Sequence, residues 1–349
     1  MILIDSIYIN TGGGKVLLEL LMNTIAKIGK ENVMFLLDKR LETESVKHYL
    51  PEQMVVLTST EAARKSFYLT LPEKITKIFC FANVPPPITI KSIPIIVYYH
   101  SPILSKIHST GLDLLKKKIN SLIKRTYIKY RNKANYHWLV QTPSMKKLVQ
   151  IRLGVSADKI DIVPFFDEDR INFVNMQLPE NRHKFLYISD GTPHKNMFGL
   201  LKAWQLIQEK NSQLELHLNV APNFVEINHK INELKASGVA VINHGRCTIE
   251  QIIDLYRNCN YLIFPSLSES FGLPMLEAAN AGCEVISSDL PYVYDVIKPL
   301  STFNPYKPAS IAEAVLAITE QPERRGTVAI IKNELNRLLT DKLEITKIN

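Results

Sequence analysis

Cysteines, long apolar runs and metal-ligand motifs are scarce in this chain of 349 residues. The four cysteines are widely scattered and include no CxxC pair. This argues against a disulfide framework or a zinc site and fits a reducing cytoplasm. No apolar run reaches the roughly 18 residues that a membrane-spanning helix needs. The start, MILIDSIYI, shows neither a basic leader nor a small-residue cleavage site, so we expect a cytoplasmic protein.

Acidic residues are scarce relative to basic ones in the first half only. Residues 1–170 hold 25 Lys and Arg against 15 Asp and Glu, a balance of +10, whereas the remainder has a balance of −2. A basic half of this kind indicates an anionic partner. On charge alone, nucleic acid, anionic lipid and a phosphorylated acceptor all remain open. Nucleic acid is disfavoured because the chain lacks a basic aromatic strand or a recognition-helix motif.

Strand-like and helix-like stretches alternate through both halves, which is typical of doubly wound parallel sheets. Buried strands are expected at ILIDSIYI, NVMFLLD, KIFCFAN, PIIVYYH, HWLVQTP and KIDIVPFF, and then at KFLYISD, LELHLNV, VAVINHG, NYLIFPS and EVISSD. The pattern lapses near residues 167–179, where we place a linker. We therefore predict two Rossmann-like α/β domains, 1–168 on the acceptor side and 169–328 for the donor, facing a central cleft. A helical tail, 329–349, follows, and packing back on the first domain is one option for it.

The most specific motif is PSLSESFGLPMLEAANAG, at residues 265–282. A strand is predicted to end before it, and Pro274 suits the first turn of a helix, so backbone N–H groups near Phe271–Leu273 are expected to bind a diphosphate. Glu269 and Glu277 would repel a diphosphate. They are therefore predicted to accept hydrogen bonds from sugar or ribose hydroxyls beside it. The alternative is that these acids only complement the helix dipole.

Three further features lie where strands are predicted to end. Lys195, in SDGTPHKNMFGLLKAW, can reach a leaving diphosphate with its ammonium group, or it is a solvated loop residue. Gly12, Gly13 and Gly14, in TGGGK, let a ligand approach a helix N-terminus, or they form a plain tight turn. His100 ends PIIVYYH, where it either faces the ligand crevice or is structural.

The stretch from Lys184 to Asp289 resembles glycosyltransferase family 4, retaining enzymes of the GT-B fold with an E-x7-E signature, found in bacterial surface-polysaccharide biosynthesis. HGRCTIEQIIDLYRNCNYLIFPS and GCEVISSDLP extend the resemblance on either side of the motif. The family often has an arginine where this chain has Asp190, and Arg246 or His194 is the expected substitute. The resemblance implies catalytic roles for His100, Lys195 and Glu269, and donor binding by Gly12, Gly13, Gly14, Arg246, Ser270, Phe271, Gly272, Leu273 and Glu277.

The resemblance further implies transfer, with retention, from a nucleotide-diphosphate sugar to a saccharide or lipid-linked acceptor in O-antigen or capsule assembly. It implies no cofactor and no metal. The D-x-D triplet at residues 167–169 falls in the predicted linker, so no metal site is expected there. Two alternatives remain: a sugar-nucleotide epimerase or phosphorylase of GT-B architecture, and a non-catalytic membrane-associated module.

The basic stretch from Lys106 to Lys147 contains eleven Lys and Arg and a single acid, Asp113. An apolar stripe at helical spacing runs through it, at Leu112, Leu115, Ile119, Leu122 and Ile123. Two interpretations stay open. In the first, the stripe packs into the domain core and the lysines are solvated. In the second, the helix rests on an anionic membrane, and the protein is peripheral on the cytoplasmic face of the inner membrane.

Overall fold

The structure is a computed structural model, and it describes residues 1–101, 112–168, 183–321 and 326–345, with backbone only at 112–117. The described residues divide into two compact units. The first comprises the described parts of Met1–Ser105, Lys116–Asp167 and Lys332–Asn349, and the second those of Lys106–Leu115 and Glu168–Ile331. Most of the predicted linker lies outside the described residues.

The first unit is built on a seven-stranded sheet whose neighbouring strands are all parallel. Its strands are β1 (Ile2–Asp5), β2 (Val33–Asp38), β3 (Met54–Leu57), β4 (Lys77–Cys80), β5 (Ile95–Tyr99), β6 (His137–Val140) and β7 (Ile160–Ile162), in the order β3-β2-β1-β4-β5-β6-β7. The central strands β1, β2 and β5 are buried along their whole length. Such continuous burial is expected where helices cover both faces of a parallel sheet.

The helices of the first unit are α1 (Gly12–Ile28), α2 (Glu61–Leu69), α3 (Leu112–Arg131) and α4 (Pro143–Leu153). After the second unit, the chain adds α11 (Leu335–Arg337) and a π-helical turn, Leu338–Lys342. Leu338, Leu339, Leu343 and Ile345 are buried in one hydrophobic cluster with residues of α1, β1 and β2. The C-terminal segment is therefore part of the first unit's core.

The second unit contains a six-stranded sheet, again wholly parallel. Its strands are β8 (Lys184–Tyr187), β9 (Glu215–Leu218), β10 (Val241–Asn243), β11 (Tyr261–Phe264), β12 (Glu284–Ser288) and β14 (Ser301–Phe303), in the order β10-β9-β8-β11-β12-β14. Its helices are α5 (Met197–Gln208), α6 (Val225–Ala236), α7 (Ile249–Asn258), α8 (Leu273–Asn280), α9 (Pro291–Tyr294) and α10 (Pro308–Thr319). β13 (Ile297–Lys298) and β15 (Val328–Ala329) form a small antiparallel pair. The prediction of two Rossmann-like sheets is confirmed.

The structure differs from the sequence prediction at two elements of the first unit. β3 was not predicted, because MVVL is a short edge strand that is only partly buried and shows little alternation. Helix α1 begins at Gly12, so the three glycines of TGGGK form its first turn instead of a tight turn before it. Glycine is costly in a helix interior, but the cost is smaller in the first turn, where the N–H groups have no intrahelical partner in any case.

The apolar stripe of α3 points outward where its side chains are described. Ile119, Leu122 and Ile123 are 48%, 52% and 59% exposed. Ile128 is nine residues beyond Ile119, on the opposite side of the helix, and it is buried. The interpretation that these three residues pack into the core is therefore wrong. In the described part of the chain, no helix combines the length and the apolar composition needed to cross a membrane.

Candidate functional site

Each sheet has a point at which the direction of strand succession reverses. The reversal falls between β1 and β4 in the first unit and between β8 and β11 in the second. Loops leave such a point towards opposite faces of the sheet and open a ligand crevice at the carboxyl ends of the strands. Gly12–Gly14 follow β1, Lys195 follows β8, and Glu269 follows β11. The predicted residues therefore lie at the edges where doubly wound sheets bind ligands.

Lys195 and Glu269 form an ion pair that joins the two loops at the second unit's reversal point. The Lys195 Nζ atom lies 2.7 Å from Glu269 Oε1, and the two side chains are only 16% and 9% exposed. Burial disfavours the charged ammonium, but the Glu269 carboxylate outweighs it and holds the pKa of Lys195 above its usual value. The alternative of a solvated loop lysine is wrong. The pair fixes the position of the Lys195 ammonium at this edge of the sheet, with the Glu269 carboxylate balancing its charge.

Tyr187, the last residue of β8, ties the same two loops together. Its hydroxyl donates a hydrogen bond to the Lys195 carbonyl at 2.7 Å and lies 3.1 Å from Ser266 Oγ, which can donate to it. The Leu267 amide donates to the His194 carbonyl at 2.7 Å. Sequence reasoning missed Tyr187, although a tyrosine at the carboxyl end of a buried strand beside the motif was a usable signal. These bonds limit how far Lys195 and Glu269 can move apart.

Glu277 lies inside α8 and is buried, 3% exposed. The Tyr256 hydroxyl, on α7, donates a hydrogen bond to Glu277 Oε2 at 2.9 Å. Tyr256 was another residue that the sequence did not identify, because it reads only as the apolar side of an amphipathic helix. A buried carboxylate oriented by a fixed donor is suited to receive a ligand hydroxyl. The prediction that Glu277 holds a donor hydroxyl stays a prediction.

The backbone between the two glutamates turns into α8 at Gly272. Gly272 has φ +85°, and a Cβ there would lie 2.6 Å from Met275 Cε. Any other residue would therefore be both strained and crowded. Ser270 is partly buried, Phe271 is buried, and Leu273 is the first residue of α8. The four residues predicted to bind the donor are thus contiguous at a helix N-terminus, where N–H groups lack intrahelical partners.

The two predicted substitutes for a second cation, Arg246 and His194, have different surroundings, and their role stays a prediction. Arg246 lies in the loop after β10, the edge strand of the sheet, and its exposed side chain forms no ion pair with any described residue. Burial lowers the pKa of His194, so this ring is neutral near pH 7. Asp190 Oδ1 accepts hydrogen bonds from the Thr192 amide and hydroxyl and caps its own loop. Among the residues that the structure describes, Lys195 is the one that forms an ion pair with Glu269.

His100 and the glycines come together in the first unit. His100 Nε2 lies 3.0 Å from the Phe81 carbonyl, and its amide donates to Asn83 Oδ1 at 2.7 Å. Burial lowers the pKa of His100 to about 4, so the ring is neutral at pH 7. Because a carbonyl only accepts, we assign the proton to Nε2, which leaves Nδ1 as an acceptor.

The first turn of α1 passes close to the His100 ring. A Cβ at Gly14 would lie 3.0 Å from His100 Cε1, whereas one at Gly12 or Gly13 would meet nothing within 4 Å. Gly12 and Gly13 are exposed, and Thr11 forms no side-chain cap. A side chain at position 14 would therefore press on the His100 ring, whereas positions 12 and 13 face open space.

Metal-binding side chains are not clustered in the described residues, where no group of three or more His, Cys, Asp or Glu could hold an ion. Asp167 and Glu168 of the D-x-D triplet are described, and Asp169 lies outside the described residues.

Comparison with known proteins finds a family model that matches the second unit. Residues 168–333 match the family model for glycosyl transferases group 1. Over 209 residues the chain is 22% identical to the O-antigen chain mannosyltransferase RfbU of Salmonella typhimurium, and the match covers 58% of each chain. It is 33% identical over 119 residues to the serotype-specific mannosyltransferase WbdA of Escherichia coli, which covers 33% of this chain and 15% of WbdA. The matches therefore span 58% or less of these two curated relatives.

Solved structures resemble the chain over nearly its whole length. HepE of Anabaena, in complex with UDP and glucose, has a TM-score of 0.63 and 18% identity, covering 92% of this chain and 90% of HepE. The lipopolysaccharide outer core galactosyltransferase WaaB has a TM-score of 0.65 and 16% identity, covering 99% and 95%. At these identities the likeness shows the fold. The chain therefore has the GT-B fold, and its residues 168–333 match the glycosyl transferases group 1.

Proposed function

We propose that the protein is a glycosyltransferase that moves a sugar from a nucleotide-diphosphate sugar to a saccharide or lipid-linked acceptor. The observation that carries the proposal is the buried Lys195–Glu269 pair at the reversal point of the sheet in the segment that matches the family. A lysine held there offers positive charge to a leaving diphosphate, and the neighbouring carboxylate offers an acceptor to sugar hydroxyls.

In the proposed reaction, the glycosidic bond to the diphosphate breaks while the acceptor hydroxyl attacks the anomeric carbon from the same face and passes its proton to the departing diphosphate oxygen, so configuration is retained. Lys195 stabilises the negative charge that the diphosphate gains, and Glu277 binds a donor hydroxyl. The neutral His100 ring offers Nδ1 as an acceptor to the donor sugar, and Gly12–Gly14 border its phosphates. Positioning and electrostatic stabilisation supply most of the rate, without a required metal.

The relatives suggest the biological setting. RfbU and WbdA are mannosyltransferases, RfbU of O-antigen chains, and WaaB acts on the lipopolysaccharide outer core. We propose a role in O-antigen or capsule assembly, in the cytoplasm or peripheral on the cytoplasmic face of the inner membrane.

Ligand binding followed by turnover tests the proposal. Thermal shift against uridine, guanosine and adenosine diphosphate sugars is expected to give one base a clear rise in midpoint, because a ligand that binds only the folded state stabilises it. That sugar nucleotide is then incubated with and without candidate acceptors. Transfer requires nucleotide release that depends on the acceptor, and the product's anomeric proton reports retention. Donor conversion without an acceptor would instead identify an epimerase, and no binding to any sugar nucleotide would refute the proposal.

EDTA tests the metal-independent part separately. Turnover that survives EDTA supports it, and turnover that stops and returns with Mg²⁺ contradicts it.

A further inference from the structure

The outward side of α3 carries a row of uncovered apolar residues. Ile119, Leu122 and Ile123 are each about half exposed, and Tyr130, about two turns beyond Ile123, is 72% exposed. Ile151, on α4, is 68% exposed. We call these five residues the apolar row. Scattered exposed apolar residues are normal, but several on one side of a helix are typical of a surface that a partner molecule or a membrane covers.

A basic pocket lies beside the apolar row, between α3 and α4. Its volume is about 490 Å³, and its charged lining residues are Arg125, Lys129 and Arg152. Tyr130 and Ile151 line the pocket as well, so pocket and row are continuous. Arg125 and Lys129 are one turn apart on α3, and Arg152 lies in the last turn of α4.

The three cations of the pocket have no anionic partner within the described part of the chain. None of them forms a hydrogen bond or ion pair with any residue that the structure describes. Surface cations commonly sit near acids, so three unpaired cations around one concavity create a local positive potential. Arginine in particular presents a fork of donors that matches the oxygens of a phosphate.

We infer that the apolar row and the basic pocket together form a docking surface for an anionic phospholipid bilayer. The pocket takes a headgroup phosphate, and the Ile and Leu side chains of the row enter the interfacial region. A bilayer surface presents anionic phosphates directly beside apolar chains, which is the pairing found here. A soluble phosphate or a nucleic acid would leave the apolar row uncovered. The inference goes beyond the proposed sugar transfer and does not depend on it.

Vesicle sedimentation tests the docking surface with the full chain and no donor or acceptor. The wild type is expected to pellet with phosphatidylglycerol vesicles at low salt, to remain in the supernatant with phosphatidylcholine vesicles, and to be released as salt rises. Each basic residue near an anionic surface contributes about 1 kcal/mol, or roughly fivefold in affinity. The triple variant Arg125→Glu, Lys129→Glu, Arg152→Glu is therefore expected to bind at least about a hundredfold more weakly.

A matched triple on the second unit controls for net charge. Lys202→Glu, Lys210→Glu and Lys235→Glu change exposed residues and alter the formal charge by the same amount. This control is expected to keep most of the binding. Equal losses in both triples, or a wild type that stays in the supernatant with anionic vesicles, would overturn the inference. Thermal melts confirm that each variant is folded.

Insertion of the apolar row has its own fluorescence readout. The chain's two tryptophans, Trp138 and Trp204, are fully buried, so their emission is insensitive to vesicles. Leu122→Trp adds an exposed indole to the row, and its emission is expected to shift to the blue on anionic vesicles. Phe198→Trp, at a 52% exposed position of α5, is the matched control and is expected not to shift. An unshifted Leu122→Trp would contradict insertion.

A soluble source of the phosphate is separated by competition. Glycerol phosphate at millimolar concentration is expected to displace the protein from vesicles only weakly, since it offers nothing to the apolar row. If it binds the pocket tightly while vesicles do not bind, the site belongs to a soluble phosphorylated ligand and the bilayer inference fails. Neither result bears on whether the protein transfers sugar.

Discussion

Substitution of Glu269 by Gln is expected to expose how much the second unit depends on its buried ion pair. The side chain keeps its size but loses the charge that offsets the Lys195 ammonium 2.7 Å away. Removal of one partner from a buried pair typically costs 3–5 kcal/mol, because the other charge is left buried and uncompensated. Because the Lys195 side chain is still 16% exposed, we expect the free energy of unfolding to fall by an amount near the lower end, about 3 kcal/mol. The pKa of Lys195 should also fall, because burial then acts with little opposition.

Ligand binding provides the second half of this prediction. If a nucleoside diphosphate binds next to Lys195, its phosphates supply the anion that Glu269→Gln removed. The same nucleotide should then raise the melting midpoint of the variant more than that of the wild type. Turnover should fall roughly ten- to a hundredfold, because a charged hydrogen bond contributes about 1.5–3 kcal/mol.

Urea denaturation and thermal shift with uridine or guanosine diphosphate measure these effects, and the double variant Lys195→Gln, Glu269→Gln completes the cycle. The double variant should be more stable than Glu269→Gln alone, since it leaves no unpaired charge. The reasoning is refuted if Glu269→Gln is as stable and as active as the wild type, or if removal of Lys195 as well brings no recovery.

Three other substitutions probe the remaining site residues. Glu277→Gln should weaken donor binding roughly ten- to a hundredfold in calorimetry through loss of a charged acceptor, and unchanged affinity would remove Glu277 from the site. Gly14→Ala should reduce turnover by about tenfold or more with unchanged circular dichroism, because its Cβ would lie 3.0 Å from His100 Cε1 and displace the ring slightly. Full activity would show that the close approach is unimportant. For His100, burial lowers the pKa from 6.5 to about 4, so the unfolded chain binds the extra proton first and stability falls as pH drops from 6.5 to 4, by about 3 kcal/mol. His100→Gln should flatten that part of a stability–pH profile, and an unchanged profile would assign the acid sensitivity elsewhere.

The sequence was most informative where function depends on local chain geometry. Lys195 and Glu269 could be placed at strand ends, because a buried strand, a short loop and a helix are each readable from apolar pattern and proline position. Their direct contact could not, since the two residues are 74 positions apart and only the sheet order makes β8 and β11 neighbours. Tyr187 left a signal at its strand end that was not used, whereas Tyr256 reads only as part of the apolar side of α7.

The α3 helix shows a different limit. Periodicity predicts an apolar stripe on one side, but it does not say whether that side meets the core or solvent. The orientation of the helix is set by Ile128 and Arg131, which are both buried. The Arg131 guanidinium donates a hydrogen bond to the Pro86 carbonyl at 2.8 Å. That contact anchors the opposite side of the helix to the first unit. The sequence does not indicate which basic residue of this stretch is buried, so the contact of Arg131 could not be predicted.

The burial of Leu338, Leu339, Leu343 and Ile345 in the first unit's core has a consequence for the order of events during synthesis. Domains usually fold as they leave the ribosome, the N-terminal one first. Here the hydrophobic cluster around α1 and β2 stays incomplete until residues more than 300 positions later are made, while the second unit lies between. The unit that starts first is thus the unit that finishes last. Until then its nascent sheet carries an apolar gap that a chaperone would be expected to cover, and a chain cut after Ile331 would keep that gap permanently.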